Sequence, residues 1–333
     1  MLISLICKAL GTSELFVLAQ IELTKQFLTG NLTFTDYYIA SYPFTSAVLF
    51  HVLLMPMMFI TGVLTHDVSQ VDRAWSILPS ATIFHYAIHS YLNGFGSLRL
   101  YIYLAIALSW STRLTYNFAR KGGYSPEGED YRWEILRSKM SHFQFLLFNA
   151  LFISIAQLII LLCITAPAMF LVEVGNEDLY IGDYVFATLL AACVILEAAA
   201  DEYMWSYQCA KRHYKETGEV AKGFTAKALK RGFCTIGMFA YSRHPNFLME
   251  QCIWCIPYFW GSYLTGKLFN WTIIGAPMYV CLFQGSTSFT EGITSAKYPE
   301  YKEYQKTVGR FIPNAGSHWV EAQEEDQGTK LNM

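Results

Sequence analysis

Tyr241-Ser242-Arg243-His244-Pro245-Asn246-Phe247-Leu248-Met249-Glu250 marks the point where a long basic segment meets an apolar run. Pro245 has no backbone N–H and a fixed φ, so it suits the first turn of a helix. The apolar residues 247–264 predict the body of that helix. Asn246 and Glu250 are four apart and share one face. Arg243 and His244 come just before it, beside free N–H groups and a dipole end that favour anions. A cation pair, a helix start and a polar face entering a membrane suit a phosphate-bearing cofactor. The plainer reading is a membrane helix with a basic flank.

Working outward, the composition favours the membrane. Of 333 residues, 53% are hydrophobic, 16% aromatic and only 15% charged. Such values are ordinary for a polytopic membrane protein and unusual for a soluble one. A net charge of −2 gives no reason to expect a nucleic-acid partner. The eight cysteines show no metal-ligand spacing, and Cys252-x-x-Cys255 sits in an apolar run without flanking ligands. Packed thiols are therefore expected, with no metal site and no disulfide framework.

A spanning helix needs about 20 mostly apolar residues. Runs at 45–64, 77–93, 98–117, 144–171, 184–205, 246–264 and 270–289 qualify, with a bend expected near Pro167. Residues 2–23 carry three charges and read as a weak span or an interfacial helix. The expected fold is all-α, a polytopic helical bundle of about seven transmembrane helices. Residues 1–44 form its N-terminal segment and lumenal loop, 45–313 one membrane domain, and 314–333 a polar, disordered tail.

Loops 118–143 and 206–243 are rich in Lys and Arg, whereas 173–183 has four acidic residues and no basic one. By the positive-inside rule the basic loops and the C-terminus are cytosolic. The Asn31-Leu32-Thr33 sequon then falls on the lumenal side.

Charges inside spans are costly and mark candidate sites. Glu197 and Asp201 lie four apart on one run, with Arg113 and Arg120 as candidate partners. Arg113, Tyr116, Asn117 and Arg120 fall at i, i+3, i+4 and i+7, a polar stripe on an apolar helix. Two guanidiniums on such a stripe suit bidentate phosphate binding. The loop 121–133 is rich in turn formers and aromatics but holds no dinucleotide-binding glycine fingerprint. Asp72 is expected to pair with Arg73 or another arginine, or to position a substrate.

Asp72-x-x-Trp75, Arg113-Leu-Thr-Tyr116-Asn117-x-x-Arg120-Lys-Gly-Gly-Tyr124, Glu129-Asp130-Tyr131-Arg132-Trp133, Asp201, the opening stretch, Gly285-Ser-Thr-x-x-Thr290-Glu291 and Lys297-Tyr-Pro-Glu-Tyr301 together resemble the DUF1295 family. Those membrane proteins are similar to steroid 5α-reductases, which bind NADPH in a helical bundle and reduce a conjugated C=C bond. Asn246 and Glu250 match the Asn-Phe-Leu-Gly-Glu of the reductases, with Met249 in place of Gly. Tyr241 and Asp201 also match, and Arg113 corresponds to an Arg of an earlier helix. Where the reductases carry Gln-Glu before Leu-Pro-Ser, Ser76-Ile77 stand here before Leu78-Pro79-Ser80. The cofactor half thus transfers better than the substrate half.

The resemblance implies NADPH held by Arg113, Asn117, Arg120, Asp201, Arg243, His244, Asn246 and Glu250. Tyr116 and Tyr241 are then the candidate catalytic acids, and a lipid or sterol-like molecule is the substrate. It also implies the endoplasmic reticulum. Arg243-His244-Pro245, Glu291 and the Tyr298–Pro313 segment look in turn like isoprenylcysteine methyltransferase, which binds S-adenosylmethionine. A methyltransferase and a non-catalytic lipid-binding protein are the alternatives.

Overall fold

A computed structural model describes residues 14–175 and 178–320. The expected weak span at 2–23 lies partly outside the described residues, as does the end of the polar tail. The described chain is helical and holds no strand, with 75% of it in helices.

Each apolar run of the sequence is a helix. In chain order, α1 is Glu14–Leu28, α2 Phe34–Ala40, α3 Pro43–Thr65, α4 Gln70–Trp75, α5 Leu78–Leu92, α6 Leu98–Arg120 and α7 Tyr131–Lys139. Next come α8 (His142–Phe148), a π-helical stretch Asn149–Ala156, α9 (Gln157–Cys163) and α10 (Ala168–Glu173). Then follow α11 (Ile181–Thr217), α12 (Ala226–Arg231), α13 (Pro245–Thr265), α14 (Gly275–Lys297) and α15 (Tyr301–Thr307).

The helix starts follow local chemistry. Proline opens α3 and α13, where its missing N–H costs nothing. Ser97 caps α6, Asp130 caps α7, and Ser141 with Gln144 forms a capping box on α8. The bend expected near Pro167 is a turn between α9 and α10.

Among the described residues, three helical segments are long and apolar enough to cross a membrane: Pro43–Thr65, His142–Glu173 and Ile181–Thr217. At 1.5 Å per residue the 23 residues of α3 reach ~34 Å, slightly more than the hydrocarbon core. Its outer face exposes Phe50, Leu53, Met57, Ile60 and Leu64, as a lipid-facing helix does. Helices α5, α6, α13 and α14 stand where further spans were expected, but they are shorter or more polar. α5 has 15 residues, and α6 carries Arg99, Arg113 and Arg120.

The chain forms two compact units, Met1–Ile195 with Glu250–Gly285, and Leu196–Met249 with Ser286–Met333. The first has one continuous core that includes Tyr86, Tyr103, Trp110, Leu158, Trp254 and Trp260. At the start of α14, a Cβ on Gly275 would lie 2.3 Å from the Cys163 carbonyl oxygen, so only glycine permits that approach. The second unit has two small cores, one around Tyr207, Leu229 and Phe239, the other around Phe233, Tyr301 and Tyr304. Gly232 ends α12 at φ +89°, against the Tyr298 ring.

A buried ion pair ties the first unit together. Arg99 Nε donates to Asp183 Oδ2 at 2.9 Å, and Trp260 Nε1 donates to Asp183 Oδ1 at 2.7 Å. Both charged side chains are almost fully enclosed. Arg99→Met leaves the Asp183 charge buried without its cation and is expected to cost about 3–5 kcal/mol. Arg99→Met/Asp183→Leu is expected to recover part of that loss. Thermal unfolding in detergent checks both, and equal losses for the single and double variants contradict this role.

Candidate functional site

In the first unit the site is built around one carboxylate. The second turn of α13 carries Glu250 into the core, where it is buried. Its Oε1 accepts from Trp254 Nε1 at 2.9 Å and from the Tyr279 hydroxyl at 2.5 Å. Its Oε2 accepts from Trp110 Nε1 at 2.7 Å. Arg113 Nη2 stands 3.8 Å from the same oxygen and supplies the countercharge. A buried carboxylate is tolerable only with such donors and a cation nearby.

Aromatic rings wall this carboxylate. Trp110 and Trp254 meet edge to face with centroids 4.9 Å apart. Trp75 stacks on Tyr279 at 6.1 Å. A carboxylate has about four acceptor sites. Two indoles and one phenol occupy three of them, which leaves one for an outside donor.

The rest of the α6 stripe turns on itself. Arg120 Nε donates to Asn117 Oδ1 at 3.0 Å, and its guanidinium covers the Tyr116 ring at 5.4 Å. Asn117 is buried, whereas Tyr116 is 65% exposed.

The loop after α6 forms a lattice with α4. Arg73 donates to the carbonyls of Gly123 and Ser125 at 3.0 and 3.2 Å, and Tyr124 donates to the Arg73 carbonyl at 3.0 Å. Glu129 binds Arg137 and accepts from the Val68 amide. The expected Asp72–Arg73 pair is replaced, because neighbours on a helix point apart. Arg73 pairs with Asp67 at 2.6 Å, and Asp72 accepts from Trp133 Nε1 at 2.6 Å. Burial pushes the Asp72 carboxyl up, opposed by the Arg132 charge and the Trp133 hydrogen bond.

The second unit contains the other predicted residues, two of them paired, two gathered on Glu291, and Tyr241 apart. Asn246 Nδ2 donates to Asp201 Oδ1 at 3.0 Å. Arg243 and His244 converge on Glu291. Arg243 Nε and Nη2 donate to its two oxygens at 2.6 and 3.1 Å, and His244 Nε2 lies 2.9 Å from Oε1. Tyr301 and Gln305 each add a hydrogen bond of 3.1 Å, and Arg310 stands at 3.5 Å. Arg243 Nη1 also donates to the carbonyls of Gln305 and Val308. Its donors, read from sequence as phosphate ligands, are thus directed into the protein. The amides of Arg243 and His244 donate to the carbonyls of Gly309 and Arg310, fixing the approach to Pro245. Tyr241 is 54% exposed and stacks on His318.

Trp110, Trp254 and Tyr279 are the site residues that sequence reasoning missed. Trp110 lies three before Arg113 and Trp254 four after Glu250, so same-face spacing pointed to both. Tyr279 had no local signal.

A family model described as a protein of unknown function, DUF1295, matches residues 58–308. The chain belongs to the DUF1295 family. This DUF1295 protein is also 39% identical to an uncharacterized protein of Schizosaccharomyces pombe over 306 residues, covering 91% of this chain and 89% of the relative. No solved structure matches it significantly. The family match includes Asp72, Arg113, Asp201, Arg243, Glu250 and Glu291.

Burial alone would raise the Glu291 carboxyl, but His244 and Arg243 outweigh it and hold the group well below the ordinary carboxylate range. A depressed folded pKa gives stability that is fully present above the unfolded value, about 4.3. That stability is lost as pH falls from there toward the folded value. Glu291→Gln is therefore expected to cost on the order of 3 kcal/mol at neutral pH. The gap between variant and wild type should shrink as pH drops below about 4.3. Unfolding across that range checks this, and a gap independent of pH contradicts it.

Proposed function

We propose that this DUF1295 protein is an NADPH-dependent membrane oxidoreductase that reduces a conjugated C=C bond of a lipid or sterol-like substrate. The observation that carries the reading is the meeting of Arg113 with Glu250 beside Trp110 and Trp254. Two motif elements far apart in sequence, each read independently as a cofactor contact, lie side by side in the first unit. The residues suit the cofactor's reactive end. The open acceptor site of Glu250 fits a carboxamide N–H, the indoles fit a planar ring, and Arg113 fits a phosphate.

Bound there, the cofactor supplies the hydride. The chain's own groups orient the ring, exclude water and handle the proton. Tyr279 is the phenol best placed for that last task, because Glu250 fixes its hydroxyl in a buried, aromatic setting. Tyr116 and Tyr241 remain candidate acids, although both are exposed. Arg120 is assigned to phosphate, and Asn117, Asp201 and Asn246 to amide, ribose or base groups. Arg243 and His244, which the resemblance assigned to phosphate, bind Glu291 in the second unit. The reading includes about seven spans, residence in the endoplasmic reticulum and a cytosolic C-terminus, on the strength of the basic loops and the Asn31 sequon.

One observation favours a methyltransferase as a second reading. The residues that resemble isoprenylcysteine methyltransferase, Arg243, His244, Glu291 and Tyr301, form one hydrogen-bonded cluster in the second unit.

Titration of the purified protein with NADPH and with S-adenosylmethionine separates the two. NADPH is expected to bind, and Glu250→Gln or Arg113→Met to weaken it at least ~10-fold, about 1.4 kcal/mol. Tyr279→Phe is expected to lower turnover of an enone about 100-fold or more with binding intact. Binding of S-adenosylmethionine alone overturns the reductase reading.

A further inference from the structure

Lys227, Lys230 and Arg231 fall at i, i+3 and i+4 of α12 and share one face, while Ala228 and Leu229 are buried. With Ala226 and Glu300 they line a crevice of about 420 Å³ in the second unit. That volume falls in the range of small-molecule sites, about 300–1,000 Å³. The three cations are held differently. The Arg231 side chain is only 2% exposed. Its Nε donates to Glu300 Oε1 at 3.0 Å and its Nη1 to Thr235 Oγ1 at 2.7 Å. Its guanidinium lies over the rings of Trp319 and Phe233, at 5.2 and 6.0 Å. Lys227 and Lys230 are exposed, and among the described residues neither makes a hydrogen bond or an ion pair. Lys211 of the same basic segment is instead tied down, donating to the Gly232 carbonyl at 3.0 Å.

Like charges on one helix face repel, so this grouping costs stability unless something offsets it. The Glu300 carboxylate offsets one charge, which leaves the crevice two positive charges in excess. Solvation explains two lysines at a surface. It does not explain a rigid, buried guanidinium whose charge faces the same crevice. A fixed arginine with two mobile lysines is a suitable donor set for a phosphate group, the guanidinium setting its place and the ammonium groups closing on it. The charge excess selects the kind of phosphate. A monoester carries about −1.5 to −2 at neutral pH and matches it, whereas a diester has a single charge.

The geometry points to an anion site: Lys227, Lys230 and Arg231 bind a phosphate monoester in this crevice, and Glu300 is the internal anion that competes with it. The site needs neither a nicotinamide nor an enone, so it does not depend on the reductase reading. The segment follows α11, which is long and apolar enough to cross a membrane, so the monoester can belong to a lipid headgroup or to a soluble molecule.

The test uses the full chain in neutral-detergent micelles at low salt, without NADPH. Dioleoyl phosphatidic acid, a lipid monoester, is titrated beside dioleoyl phosphatidylglycerol, a diester with the same chains, and glycerol 3-phosphate, a soluble monoester. Phosphatidic acid is expected to bind at least ~5-fold more tightly than phosphatidylglycerol. Equal binding of glycerol 3-phosphate marks a soluble ligand, and binding of phosphatidic acid alone marks a lipid headgroup. Lys227→Gln/Lys230→Gln, confined to exposed side chains, is expected to weaken monoester binding ~10-fold or more with the unfolding temperature unchanged. Glu300→Gln removes the competing carboxylate and is expected to tighten it by ~3-fold or more. The proposal is overturned if neither monoester binds, or if phosphatidylglycerol binds as well as phosphatidic acid. It is equally overturned if the lysine variant binds like the wild type, or if Glu300→Gln binds more weakly.

Discussion

A carboxylate taken out of water must be given donors and a cation, or the fold does not pay for it. Three of the buried carboxylates obey this rule and cross-link the helices around them. Asp183 draws in Arg99 and Trp260. Glu250 draws in Trp110, Trp254, Tyr279 and Arg113. Glu291 gathers Arg243, His244, Tyr301 and Gln305. Apolar packing brings helices together without fixing their rotation. These sites fix it, because an indole N–H or a guanidinium reaches its acceptor from only one orientation.

The three sites differ in what they leave over. Asp183 is enclosed with its arginine and reads as a structural clamp. Glu291 accepts from four side chains, and its depressed pKa keeps it charged across the physiological range. Glu250 is different, because three of its donors are neutral and its arginine stands beyond hydrogen-bond distance. A charge held mainly by neutral dipoles in an aromatic setting is suited to interact with an incoming group, which is why the functional reading centres on it.

Much of the helix pattern was legible in the sequence. Apolar runs marked the helices, and Pro245 marked a helix start because its missing N–H costs nothing in a first turn. The i, i+3, i+4, i+7 spacing from Arg113 to Arg120 placed those residues on one stripe, a local property. Partner choice was not legible, because it depends on contacts between residues far apart in the chain. Arg243 and His244 looked like anion ligands at a helix start, and Glu291, the anion they meet, is an internal one. Asp72 stood beside Arg73 yet bonds Trp133, since a helix separates neighbours that sequence joins. Tyr279 sits in an ordinary apolar run, and nothing local told it from a packed tyrosine.

We propose that Glu250 and its aromatic donors would hold a nicotinamide whose hydride would reduce a lipid enone. The most direct measurement follows the hydrogen itself. The purified protein is given an enone and NADPH carrying deuterium at the transferable position of the nicotinamide, and the product is analysed by mass spectrometry. The account predicts a saturated ketone with one deuterium on the carbon β to the carbonyl. Recovery of the enone unchanged, or transfer of a methyl group from S-adenosylmethionine under matched conditions, would contradict it.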